Sequence, residues 1–150
     1  MNVRRIKSTD KNEYIKLVTE FYNLDAVLAP VPESHFDKAF AELMRSDERI
    51  VCYLAEEGGE IAGYALIARF YSQEAGGEVA WLDEIYIRDG FRGKGAGTAI
   101  INKVFEDFKD AAAFRLEIEP ENEGAERLYK RLGFQKLDYE QRIKPNHKML

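Results

Sequence analysis

The order of strands and helices in this chain is that of an α/β (α+β) protein built on one mixed, mostly antiparallel sheet. Residues 50–56 and 61–72 are rich in β-branched and aromatic side chains and are joined by Glu57-Gly58-Gly59-Glu60, whose glycines suit a tight hairpin. A second glycine pair, Gly76-Gly77, leads into a strand over 79–87 and completes a three-strand meander. The period then changes: Ile100, Ile101, Val104, Phe105 and Phe108 share one face of a helix, and a strand follows at 113–119. A strand-helix-strand passage returns the chain in the same direction, so the sheet contains a parallel pair.

The other elements follow in order. Val3 to Lys7 reads as a first strand, and Ser8 or Thr9 caps a helix whose positions Tyr14, Leu17, Val18 and Phe21 keep helical spacing to an end near Asn23. Leu24 to Pro32 is apolar but holds two prolines, so it is expected as a packed loop forming a pocket wall or interface. Phe36, Phe40, Leu43 and Met44 mark a second helix. Beyond the strand at 113–119 come an amphipathic helix over 122–132, a stop at Gly133 and a terminal strand pair or hairpin over 134–143. No repeat or linker divides the 150 residues, which are expected to form one domain.

With 22 Lys+Arg against 27 Asp+Glu the net charge is −5, which argues against nonspecific nucleic-acid binding. No apolar run of membrane-spanning length and no secretory leader is present, so a cytoplasmic protein without a membrane partner is expected. Cys52 lies in the apolar run Ile50-Val51-Cys52-Tyr53-Leu54 and reads as a buried core thiol. His35 and His147 lie far apart and have no second cysteine to join them, so no metal site is expected.

The densest chemical signal is Arg88-Asp89-Gly90-Phe91-Arg92-Gly93-Lys94-Gly95-Ala96-Gly97-Thr98, between the third meander strand and its helix. Free N–H groups at a helix N-terminus form a cradle for phosphate oxygens, and Arg92 and Lys94 add positive charge. The loop is not a P-loop, because Ala96 stands where GxxxxGK[ST] needs lysine. Nor is it a dinucleotide fingerprint, since neither Gly93 nor Gly95 starts a G-x-G-x-x-G. What it does satisfy is Arg-x-x-Gly-x-Gly, at Arg92, Gly95 and Gly97.

In that motif the sequence resembles the GNAT superfamily of acyl-CoA-dependent N-acetyltransferases. A second block agrees: Asn122, Ala125, Tyr129, Gly133 and Phe134 match the family's Asn-x-x-Ala-x-x-x-Tyr-x-x-x-Gly-Phe segment. The resemblance implies a GNAT-like sheet with a central parallel pair and helices on both faces. It also implies acetyl-CoA as co-substrate, held by Arg92, Gly93, Lys94, Gly95, Ala96, Gly97 and Thr98, by the strand residues Ile85, Tyr86 and Ile87, and by Asn122 and Tyr129. Seven residues apart on a helix, Asn122 and Tyr129 lie within roughly 20° of one face and can serve one ligand together.

Family members transfer an acetyl group to an amine by direct attack, and the resemblance carries that expectation here. An amine with a reference pKa of about 10.4 must lose a proton before it attacks, so a base is needed. Asp83 and Glu84 lie on the relevant strand. Strict alternation would put Asp83 with Trp81, Ile85 and Ile87 and Glu84 with Leu82 and Tyr86, so that only one of the two carboxylates faces the amine. The family's oxyanion donor is a backbone N–H around Ile85 to Ile87, and Tyr129 stands where the family often has its general acid. Asp25, Glu33 and His35 fall where an acceptor wall is expected, and Arg127, Lys130 and Arg131 read as a solvated basic face. The acceptor is expected to be a small amine, a peptide N-terminus or a lysine. A non-catalytic acyl-CoA sensor is the alternative, and aromatic side chains near 70–77 and 134–143 leave room for a homodimer.

Overall fold

The computed structural model describes residues 1–24 and 30–147. Its sheet runs β1 (Asn2–Arg5), β2 (Ile50–Glu57), β3 (Glu60–Ser72), β4 (Gly77–Ile87) and β5 (Ala113–Leu116), in that spatial order. Every neighbouring pair is antiparallel except β4 and β5, which are parallel. Helices α1 (Lys11–Tyr22) and α2 (Glu33–Arg45) cover one face, and α3 (Ala96–Asp107) and α4 (Glu123–Arg131) cover the other. The mixed sheet flanked on both sides is the architecture expected from the sequence. Among the described residues no helix is long and apolar enough to cross a membrane.

Two apolar layers result. Under α1 and α2, Tyr14, Leu17, Val18, Phe36, Phe40 and Leu43 pack on Cys52, Leu54, Tyr64 and Leu66. Under α3, Ile100, Ile101, Val104 and Phe108 pack on Val51, Tyr53, Ile67 and Leu82. Cys52 is fully buried, and burial pushes its thiol far above the ordinary range, as suits an inert core residue.

Four local expectations need correction. The first helix is not capped by Ser8 or Thr9: these residues form a 3₁₀ turn, and the Asp10 carboxylate accepts from the Lys7 N–H at 2.7 Å. Arg4 then clamps Asp10 at 2.8 and 2.9 Å, which ties β1 to the start of α1. Residues 134–143 form no strand pair or hairpin. From Gln135 to Lys144 there is no glycine or proline to reverse the chain, and Leu137, Tyr139 and Ile143 stay exposed. With that segment unpaired, β5 is the last strand of the sheet. The strand expected over 113–119 stops at Leu116. Part of the apolar loop expected over 24–32, Asp25 included, lies outside the described residues.

The fourth correction sets up the functional site. Leu66 of β3 opposes Glu84, but the next residue, Ile67, opposes Leu82, so Asp83 is the surplus residue of a β-bulge. Past the bulge the two faces exchange. Leu82 lies in the α3 layer together with the partly buried Ile85 and Ile87, whereas Glu84 contacts Tyr64 and Tyr22 on the α1 side, where Tyr86 also packs. The strict alternation read from the sequence therefore fails at this point.

Beside the bulge, Gly63 of β3 passes so close to β4 that a Cβ on it would run into the Tyr86 carbonyl oxygen and the Ile87 side chain. Gly63→Ala should therefore destabilise the fold by about 1–3 kcal/mol, as overpacking does, measured by chemical denaturation.

Candidate functional site

β4 pairs with β5 only from Val79 to Leu82, although β4 itself runs on to Ile87. Among the described residues the β5 side of residues 83–87 therefore has no strand partner, and apart from the Ile87 carbonyl its backbone groups are open to a ligand. The glycine loop follows directly. Gly95 caps α3 in the left-handed conformation, at φ 82°, which the absence of a Cβ permits. The first bond into α3 is Ala99 N–H to the Gly95 carbonyl, at 2.9 Å. Among the described residues, no protein acceptor takes the backbone N–H groups of residues 93–98. This row of unspent donors sits at the positive end of a twelve-residue helix, which is a setting for an anion.

Arg92 and Lys94 flank that row. Arg92 donates from Nε to the Ile87 carbonyl at 3.0 Å and pairs with Asp89 at 2.9 Å, so it bridges the strand end and the loop. Lys94 lies 5.7 Å from the Phe91 ring centroid and is exposed.

Helix α4 reaches the same end of the molecule, its Leu128 lying 3.6 Å from where a Cβ on Gly97 would stand. The side chain of Asn122 caps α4, accepting from the Ala125 N–H at 3.0 Å. The far end of the helix closes in a Schellman motif. The Phe134 N–H donates to the Tyr129 carbonyl at 3.0 Å and the Gly133 N–H to Lys130 at 3.1 Å, with Gly133 at φ 95°. The rings of Tyr129 and Phe134 meet edge to face at 5.8 Å, the apolar contact that accompanies this cap. Thus the spacing Tyr-x-x-x-Gly-Phe is the wiring of a helix terminus that holds Tyr129 in place. Burial raises the Tyr129 phenol, so it keeps its proton at neutral pH. Tyr129 also borders a cavity of about 1050 Å³ that wraps the outer edge of β5 and includes Trp81, Phe105, Phe114 and Leu116. Arg127, Lys130 and Arg131 are exposed, as expected of a solvated face.

Opposite these groups, both Glu84 oxygens are occupied. Tyr64 donates to one at 2.7 Å and Tyr22, from the last turn of α1, donates to the other. Burial pushes the Glu84 carboxyl above the ordinary carboxylate range, the two phenols pull it back and neighbouring Asp83 pushes it up. Asp83 keeps an exposed surface, yet burial raises it too, with Trp81 opposing and Glu117 reinforcing the shift. Nothing along the chain marks Tyr22 and Tyr64 as partners of Glu84. The two tyrosines are 42 positions apart, and only the fold brings them together. His35 lies on the first turn of α2 and Glu33 begins that helix. No cluster of three or more metal-ligating side chains occurs among the described residues.

A bulged parallel-antiparallel sheet, a glycine-rich helix entrance beside an unpaired strand edge, and a Schellman-capped tyrosine helix together define an acetyltransferase fold. The chain belongs to the acetyltransferase (GNAT) family, whose model matches residues 14–134. It is 31% identical over 150 residues to the mouse (Mus musculus) thialysine N-epsilon-acetyltransferase, covering 90% of this chain and 84% of that protein. An integron cassette protein from the mobile metagenome of Cole Harbour Salt Marsh superposes with a TM-score of 0.84 at 25% identity, over 98% of this chain and 91% of that one. The aminoglycoside N-acetyltransferase AAC(6')-Iy in complex with CoA shares the fold at a TM-score of 0.78 and 16% identity, over 97% and 95% of the two chains.

The raised Glu84 carboxyl has a consequence for stability. A carboxyl whose folded pKa lies above its unfolded value stabilises the fold at low pH and loses that contribution as pH rises through the folded pKa. Glu84→Gln should therefore gain stability relative to the wild type as pH rises from the ordinary carboxylate range, about pH 4, through the raised Glu84 titration, seen as diverging denaturation midpoints.

Proposed function

We propose that the protein transfers an acetyl group from acetyl-CoA to a primary amine, by direct attack in a ternary complex. The observation that carries this reading is the run of unspent N–H groups over 93–98, set at the end of an unpaired strand edge that begins with two carboxylates. The CoA pyrophosphate would lie against the N–H groups of Gly93, Lys94, Gly95, Ala96, Gly97 and Thr98, with Arg92 and Lys94 supplying charge. The extended pantetheine arm would run beside Ile85, Tyr86 and Ile87, adding to β4 as a strand would. Asn122 and Tyr129 would border it from α4.

Of the two carboxylates, Asp83 is the better base. Both oxygens of Glu84 already accept phenol hydrogen bonds, whereas Asp83 is exposed and its affinity for protons is raised by burial. The amine nitrogen, having given its proton to Asp83 directly or through water, attacks the thioester carbonyl carbon. A β4 backbone N–H past the bulge stabilises the oxyanion. As the carbon–sulfur bond breaks, the Tyr129 phenol delivers its proton to the departing thiolate. Glu84 contributes negative charge that favours a cationic acceptor.

The acceptor class is a small amine, a peptide N-terminus or a lysine, and the relative named for a lysine analogue supports an amine on a flexible apolar stem. Exposed Phe70, Tyr71 and Tyr139 support a homodimer.

Calorimetry with acetyl-CoA, followed by thiol release against polyamines, amino acids, aminoglycosides and peptides, tests the reading. Binding with turnover on one amine class is the expected result; binding without turnover on any would reduce the protein to an acyl-CoA sensor. Tyr129→Phe should lower kcat by about 10²–10⁴-fold while leaving the affinity for CoA within a few-fold. In a pH–rate profile, Asp83→Asn should remove the acid limb of kcat/KM, a loss that a purely structural aspartate would not cause.

A further inference from the structure

Arg88 stands between the carboxylates and the glycine loop, and no step above uses it. Its side chain is 23% exposed, and four of its five N–H groups have acceptors. Nε and Nη2 donate to the two Glu20 oxygens, each at 3.0 Å. Nη1 donates to Glu13 at 2.7 Å and to the Ile61 carbonyl at 2.9 Å, while the Arg88 N–H donates to the Ala62 carbonyl at 2.8 Å. Glu13 and Glu20 are seven residues apart on α1 and so lie on one face of it. Two residues after Glu20, in the last turn of α1, comes Tyr22, which donates to Glu84; four residues after Glu84, at the end of β4, comes Arg88. The contacts therefore close a ring, running Glu84, Tyr22, Glu20, Arg88 and back along β4.

That ring solves a positioning problem. The terminal turn of a helix frays readily, yet a phenol can hold a buried carboxylate only if its oxygen stays within tenths of an ångström. Glu13 and Glu20 also put two like charges on one face of α1 at the end of β4, and Arg88 is the cation that meets both. A planar, five-donor guanidinium can grip both acids and a carbonyl at once, which an ammonium cannot do.

We propose that Arg88 is a positioning residue for Glu84: by fixing the last turn of α1 against the end of β4, it keeps the Tyr22 hydroxyl on the Glu84 carboxylate. Its bearing on acetyl transfer rests on the function proposed above, whereas the positioning itself does not. The groups facing Glu84 are Tyr14 and Tyr22 from α1, Cys52 from β2, Tyr64 from β3 and its neighbour Asp83. Of these, Tyr22 is the group that donates to the Glu84 carboxylate from the helix that Arg88 holds.

The test is the carboxyl titration of Glu84, followed by NMR on the full chain carrying ¹³C-labelled glutamate, with the resonance assigned by its loss in Glu84→Gln. A phenol that donates to a carboxylate favours the ionised form, so Tyr22→Phe should move the titration upward by about one pH unit. Arg88→Gln should move it in the same direction, and Tyr22→Phe/Arg88→Gln should move it no further than Tyr22→Phe alone. Arg88→Lys, which keeps the charge and loses the fork, should fall between wild type and Arg88→Gln. An unmoved titration in Arg88→Gln, or a shift that persists in full in the Tyr22→Phe background as direct charge removal would give, overturns the proposal. Should Arg88→Gln fail to fold, Glu20→Gln opens the same ring and must produce the same shift. A parallel kcat/KM pH profile separates the two readings: a moving titration with catalysis unaltered overturns the link to acetyl transfer and leaves the positioning intact.

Discussion

Asp83 is one residue more than β3 can pair with, and the arrangement of the site follows from that surplus. Without the bulge, with Asp83 paired in regular alternation, Glu84 would share the α3 face with Leu82, and a charged side chain would be buried among Ile100, Ile101 and Val104, at a cost no partner there could offset. With it, Glu84 turns to the α1 face, where two phenols await it, and Ile85 and Ile87 take over the apolar layer beneath α3. The bulge also falls just where β5 leaves β4, since the parallel ladder ends at Leu82 and Leu116. The polar switch and the opening of the sheet therefore begin at the same point in the chain.

Around this point each element supplies something different. The loop after β4 supplies donors without acceptors, α1 supplies a phenol, and α4 supplies another phenol held by its own helix cap. The aromatic side chains of the α1 side form a continuous network, with Tyr14, Phe21, Tyr64 and Tyr86 meeting edge to face at 6.2–6.4 Å. Such packing gives rigidity to the wall behind Glu84 and leaves little freedom for the carboxylate to find other partners.

What could be read from the sequence was what depends on neighbours along the chain. The helical spacing of Ile100, Ile101 and Val104, the glycines of the hairpin and the Arg92–Gly97 motif are all local, and the structure contains them as elements or turns. The bulge could not be read, because an extra residue in a strand leaves no mark on composition; Asp83 and Glu84 look like any alternating pair until β3 is laid beside them. The partners of Glu84 and of Arg88 lie 20 to 75 positions away, and their meeting is a product of topology. The C-terminal hairpin fails for the opposite reason: scattered apolar residues suggest strands where residues 135–144 have no glycine or proline to turn the chain. Asn122 shows how one position can carry two meanings, since the asparagine of a family motif is also, physically, an N-cap.

The open edge of β4 has a consequence for the solution behaviour of the protein. A strand with unpaired backbone groups invites the edge of any passing chain, and proteins usually guard against this. Here the exposed stretch is five residues long. It starts at a bulge bearing a carboxylate and ends at a 3₁₀ turn and a loop whose left-handed glycines cannot continue a ladder. A stray strand could form too few hydrogen bonds there to hold, while a short extended ligand with its own anion could use both the edge and the loop. The same geometry that admits a ligand thus protects the molecule against self-association through its sheet.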